Sequence, residues 1–235
     1  GDRLRSVSFF VGPNARAAVA EGRADFMPVF LSDIPGLFSS GAIPLDVALV
    51  SVSPPDRHGL CSLGTSIDAA RAAVDHARIV IAEVNERMPR TLGNSTLPLS
   101  RIHAFVHTNR PLPQHEPEAP SEIISRIGEQ VAALVEDGAT LQAGIGAIPD
   151  AVLARLGNHC ELGVHTEMFS DGLLPLIDGG VVTNRRKAVH PGRTVTSFVT
   201  GTQKLYDFVH DNPAVEFHGC DRTNDTALIR KNEKV

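Results

Sequence analysis

Cysteine is scarce in this chain: Cys61, Cys160 and Cys220 are the only three among 235 residues. An odd number without metal-type spacing favours free thiols in a reducing compartment over a disulfide framework, so a cytoplasmic setting is expected. No apolar run is long enough to span a bilayer and no signal peptide opens the sequence, so no membrane partner is expected. An excess of basic charge is lacking too. Lys+Arg number 22 against 27 Asp+Glu, a net charge of −5, and no basic field invites nucleic acid. What is present is 42% hydrophobic and 21% charged residues, enough for a sizeable core or two. The chain opens on Gly1 rather than methionine and almost directly on a strand, as a fragment would.

Hydrophobic patterning alternates between strand and helix along the whole length. Strands are expected at residues 6–11, 25–30, 45–52, 78–84 and 102–106, and helices at 15–20, 32–38 and 66–77. The run LDVALVSV (45–52) is almost continuously apolar, as a buried parallel strand would be. Residues 85–98 hold Pro89, Gly93 and Asn94 and read as irregular. Residues 109–120, NRPLPQHEPEAP, carry four prolines and no apolar period, the composition of an inter-domain linker between residues 1–108 and 121–235. A helix over 121–137 follows, with Ile123, Ile124, Ile127, Val131, Leu134 and Val135 on one stripe and Gly138 as its stop. Beyond residue 171, helices are expected at 172–177, 203–210 and 225–231, and strands at 195–199 and 215–217. This alternation argues for an α/β fold with mainly parallel sheets.

The stretch from Leu141 to Asp171 organises the rest. Residues 140–143 are extended, and Gly144-Ile145-Gly146-Ala147-Ile148-Pro149 makes a tight turn into a helix whose apolar stripe ends at Gly157-Asn158. Residues 162–166 form a short strand, and Glu167 follows at its carboxyl end, where ligands bind in open α/β sheets. A backbone with two glycines can approach a ligand closely, and the helix N-terminus behind it favours anions.

GIGAIPDAV (144–152) followed by HTEMFSDG (165–172) resembles the acetyl-CoA hydrolase/transferase family of class I CoA-transferases. DVALVSVSPPDRHGLCSLGTS (46–66), VNERMPRTLG (84–93) and TNRRK (183–187) are similar to further blocks of that family, in the same order. The resemblance implies two open, mainly parallel α/β domains of the CoA-transferase type with the active site between them, and a homodimer. It implies an acyl-CoA and a short carboxylate such as acetate as substrates, with no metal. It also implies a further segment before Gly1, and one after Val235 that holds an oxyanion loop and much of the CoA pocket. The chain as given would then be poorly active.

Under the resemblance, Glu167 is the nucleophile. It attacks the thioester to form a mixed anhydride, and the released CoA thiolate then converts this into a glutamyl-CoA thioester. By position alone, Glu167 reads as a solvated strand-end carboxylate. Gln142, Ala143, Gly144, Ile145, Gly146, Ala147 and Ile148 would line the CoA site, although the two glycines are equally at home in a structural turn. Asn224 looks like the family's active-site asparagine and is just as readily a helix N-cap in TND (223–225). His165 alternates with Glu167 and lacks the further ligands of a metal site, so a hydrogen-bonding or packed role is expected. Residues 184–187 offer positive charge for CoA phosphates or for solvent. The loop 53–59 could face the acyl group, with His58 an exposed loop residue. Hydrolysis of the thioester by water remains open, and so does a non-catalytic remnant that binds CoA or a partner.

Overall fold

The computed structural model describes residues 5–116 and 119–235. Short parallel sheets dominate, as the alternating pattern predicts. The strands Val47–Val52, Ile79–Asn85 and Ala104–Thr108 form one three-stranded parallel sheet in that order. Ser6–Ser8 pairs in parallel with Ala24–Phe26 across the helix Pro13–Ala20. In the second half, Thr140–Leu141 pairs in parallel with Gly163–Val164, and Met168–Phe169 with Phe198–Val199. The fold is thus an open, mainly parallel α/β arrangement.

Residues 85–98 are not irregular. Thr96–Pro98 pairs antiparallel with Leu60–Ser62. Leu92–Gly93 pairs with Val215–Phe217, which in turn pairs with Thr194–Thr196, so one three-stranded sheet takes strands from both halves. Pro89, Gly93 and Asn94 mask these strands because each is only two or three residues long. Apolar packing is continuous in the same way: Val52, Val80, Leu97 and Ile67 belong to one cluster with Leu156, Phe169, Leu205 and Phe217.

Two apolar segments are less buried than their patterns predict. In the sheet led by Val47–Val52, Ala48, Val52, Val80, Ala82 and Val84 point to the core. The opposite face carries Leu49, 77% exposed, and Val106, 61% exposed. The run 45–52 is therefore buried on one face only. The helix expected over 121–137 spans Glu122–Ala132, with Ser121 Oγ accepting from Ile124 N–H as its cap. It buries Gly128 and Ala132, whereas Ile123 and Leu134 are 72% and 81% exposed. Packing explains the choice. The helix lies against Ala147–Leu153 so closely that a Cβ on Gly128 would stand 2.8 Å from the backbone of Ala151. A small residue permits that contact; Ile124, one turn earlier on the same side, is partly buried, while Ile123 and Ile127 face outwards.

The proline-rich segment lies on the second half. Tyr206 Oη donates to Pro113 C=O at 2.6 Å, Gln203 N–H to Gln114 Oε1 at 3.0 Å, and His115 N–H to Gly201 C=O at 3.0 Å. Residues 117 and 118 of the expected linker lie outside the described residues.

Candidate active site

Glu167 sits at a bend between two strand pieces rather than at a strand end. Before it, Gly163–Val164 runs beside Thr140–Leu141, and His165 bridges to Val195. After it, Met168–Phe169 runs beside Phe198–Val199. At the step itself, the Glu167 carbonyl accepts from two successive amides, Ser197 N–H at 2.9 Å and Phe198 N–H at 3.1 Å. The pairings of His165 with Val195 and of Met168 with Phe198 keep one register through this step, so the two strands stay in phase past Glu167 and the two amides share its carbonyl. The Glu167 side chain is half-buried, and Asn224 Nδ2 donates to its Oε2 at 2.5 Å.

Asn224 is free to do this because it is not the cap. Asp225 is the N-cap of the helix Thr226–Ile229, its Oδ1 accepting from Ala227 and Leu228 N–H. Asn224 instead follows the short helix Cys220–Thr223. The Thr223 carbonyl at that helix end accepts from His165 Nε2 at 3.0 Å. A carbonyl can only accept, so Nε2 carries the proton. His165 is 4% exposed, and its pKa falls to about 4 through burial and, next, the charge of Lys187, so the ring is neutral at pH 7. The Thr223 hydroxyl also contacts Ser197 Oγ, next to the amide that holds Glu167.

The glycine turn is adjacent. Gly146 has φ +120° and is the N-cap of Ala147–Leu153, a backbone angle that an L side chain resists. That helix has only seven residues, so its dipole offers an anion less than the pattern promised. Gln142, Gly144, Ile145 and Ile148 are exposed, and Ala143, Gly146 and Ala147 half-buried. Thr166, fully buried, joins this turn to Glu167. Its Oγ1 accepts from Ala143 N–H at 3.0 Å and lies 3.0 Å from the carbonyls of both Ala143 and Met168. Sequence reasoning did not single out Thr166. Alternation marks it, because it points away from the face of its two neighbours and towards the turn.

The other candidates lie apart. Lys187 is buried, its Nζ donating to the carbonyls of Val164 at 2.7 Å and Arg193 at 2.6 Å, and burial lowers its pKa to about 7. Asn184 is also buried and bonds Val164 N–H and Thr194 Oγ1. Asn184 and Lys187 therefore brace the sheet, whereas Arg185 and Arg186 are exposed. In the loop 53–59, Asp56 Oδ1 accepts from His58 and Leu60 N–H, and His58 is exposed. Burial raises the thiols of Cys61 and Cys220, the latter to about 12, as packing residues would have.

His190, Glu216 and His218 bring metal-type donors together. His190 Nδ1 lies 2.6 Å and His218 Nε2 3.3 Å from the same oxygen, Glu216 Oε2. Arg222 faces His190 Nε2 at 3.3 Å and can only donate, which leaves the His190 proton on Nδ1, directed at Glu216. Burial alone would push the Glu216 carboxyl up, but the two imidazoles outweigh it and hold it below its usual range. The cluster is a hydrogen-bonded carboxylate, with Glu216 as the acceptor of both rings.

A carboxylate at a bend between strand pieces, beside a glycine turn on an open parallel α/β scaffold, has close relatives among known structures. RipA from Yersinia pestis superposes with a TM-score of 0.95 at 35% identity, over 99% of this chain and 56% of that one. The profile of the acetyl-CoA hydrolase/transferase N-terminal domain matches residues 2–117, and that of the corresponding C-terminal domain matches residues 201–235. The 4-hydroxybutyrate coenzyme A transferase of Clostridium kluyveri is 48% identical over 99% of this chain and 54% of its own length. The succinyl-CoA:acetate/propanoyl-CoA:succinate CoA transferase of Fasciola hepatica is 48% identical over 98% of this chain and 48% of its own length. The chain belongs to the acetyl-CoA hydrolase/transferase family. It spans about half the length of the curated relatives it matches.

Proposed function

We propose that this chain carries the nucleophile of a CoA-transferase that moves CoA between an acyl-CoA and a short-chain carboxylate such as acetate. The observation that carries the reading is the Glu167 carboxylate, held at 2.5 Å by Asn224 and one residue from the threonine that grips the glycine turn. The names of the relatives, CoA transferases from a bacterium and a fluke, support the same chemistry.

The reaction is a series of balanced acyl exchanges. The Glu167 carboxylate attacks the thioester carbonyl, the carbon–sulfur bond breaks, and CoA leaves as thiolate from a glutamyl–acyl anhydride. The thiolate then attacks the glutamyl carbonyl and expels the acyl group as its carboxylate, leaving glutamyl-CoA. An incoming carboxylate reverses both steps. No ATP is needed, because anhydride and thioester exchange without a net change in bond type. Each tetrahedral intermediate carries an oxyanion, and Asn224 has a second amide hydrogen to offer it. Gln142 to Ile148 would line the CoA site. Exposure of much of this turn and the missing side chains at Gly144 and Gly146 support close approach of the backbone to the cofactor. Asn224 and Glu167 face each other from separate parts of the chain, so binding and chemistry depend on the same packing.

The test is mass spectrometry of the full gene product after incubation with acyl-CoA. A CoA adduct on the peptide carrying Glu167, absent in Glu167→Ala although that variant still binds CoA, is expected. No adduct on Glu167, or retained turnover in Glu167→Ala, would overturn the proposal. Turnover without any carboxylate acceptor would identify water as the final attacker.

A further inference from the structure

We infer that His165 is a positioning residue that sets Asn224 against Glu167. The inference rests on the proposed role of Glu167 and adds a residue to it. Its basis is a chain of contacts. Nε2–H of His165 donates to the Thr223 carbonyl at 3.0 Å, and the next residue, Asn224, donates to Glu167 Oε2 at 2.5 Å. The Thr223 carbonyl lies at the end of the helix Cys220–Thr223, where carbonyls lack intrahelical partners. His165 supplies that partner from the strand that also carries Glu167, two residues on. The side chain that ends the helix and the side chain that the helix end presents are therefore referred to one strand. A second tie, the Thr223 hydroxyl on Ser197, runs to the residue whose amide holds the Glu167 carbonyl. Glu167 and Asn224 are thus held from both sides of one contact. The neutral ring leaves Nδ1 buried with no hydrogen-bond partner among the described residues, so among them Nε2 does the hydrogen bonding of the ring.

Reach separates this role from packing. In His165→Gln the new amide nitrogen extends about as far as Nε2, whereas in His165→Asn it extends only as far as Nδ1. Both variants are polar; the methylene that separates them also changes packing, which the melting temperature reads, so the role is judged on kcat in variants that melt like wild type. Steady-state transfer by the full gene product would be measured for both, for Asn224→Ala and for the double variants. The expected result for His165→Asn is a fall in kcat of about 10- to 100-fold with KM for acyl-CoA within about threefold, below the roughly 100- to 1,000-fold of removing a donor outright because Asn224 is displaced and not deleted. His165→Gln recovers most of it. Adding His165→Asn to Asn224→Ala lowers kcat little further, because both act through one contact. Equal losses in His165→Asn and His165→Gln, no loss in either, or full additivity with Asn224→Ala would overturn the inference. Thermal melts identify unfolding, and a His165→Asn variant that folds yet keeps the wild-type kcat also counts against it. Retained turnover in Glu167→Ala would instead refute the function proposed above, and this inference with it. An inactive Glu167→Ala alongside additive His165 and Asn224 losses would refute the inference alone.

Discussion

Lowering the pH from 7 to 4.5 is expected to destabilise the protein through His165. In the folded state, burial first and Lys187 second bring its pKa down to about 4, with His190 and His218 pushing the same way and the Thr223 carbonyl opposing. In the unfolded chain the value returns to 6.5. Between those values the unfolded state binds a proton that the native state refuses. The contribution is complete above the unfolded value and is lost as the pH falls through 6.5 towards 4. At 1.36 kcal/mol per pKa unit the ceiling is about 3 kcal/mol, of which about 2 kcal/mol is lost between pH 7 and 4.5. Urea unfolding of wild type and His165→Gln at both pH values isolates this contribution, because the carboxylates titrate in both proteins. Wild type should lose about 2 kcal/mol more than the variant on acidification. Equal losses, or a larger loss in the variant, would refute the account of a buried neutral ring.

Thr166→Val removes the hydroxyl that pairs with Ala143 N–H and is expected to lower stability by about 1–3 kcal/mol and to raise KM for acyl-CoA, by denaturation and steady-state kinetics. Gly128→Val forces a side chain into the backbone of Ala151 and should cost about 1–3 kcal/mol of unfolding free energy, with an unchanged urea m-value. Native-state alkylation followed by peptide mass mapping should label exposed Cys160 long before buried Cys61 and Cys220; equal labelling of all three would contradict the packing described.

Local signals carried most of the elements. Proline and glycine punctuate the helix Pro13–Ala20, the turn at Gly144–Gly146 and the helix Ala147–Leu153, and apolar runs mark Ile79–Asn85 and Val215–Phe217. Such signals act within a few residues, where dihedral preferences and period are written directly into the residue order. Leu92–Gly93 and Met168–Phe169 went unread because each is two residues long and sits among polar and turn residues, with no apolar run around it to mark it.

The site divides in the same way. The order His165-Thr166-Glu167 and the two glycines of the turn were legible, and with them the candidate nucleophile. Whether Asn224 caps a helix or meets Glu167 was not, since both roles suit an asparagine before Asp225. Asp225 takes the cap, and the His165 bond to Thr223 aims Asn224 across the chain. Ile123 and Ile127 of Glu122–Ala132 face outwards for a comparable reason. Residue order established the amphipathic period, but the close approach of Ala151 to Gly128 selected which side is buried. Period, turn chemistry and residue type belong to a short window of chain. The partner of a strand, the owner of a cap and the buried side of a helix depend on which distant surfaces meet and exclude water.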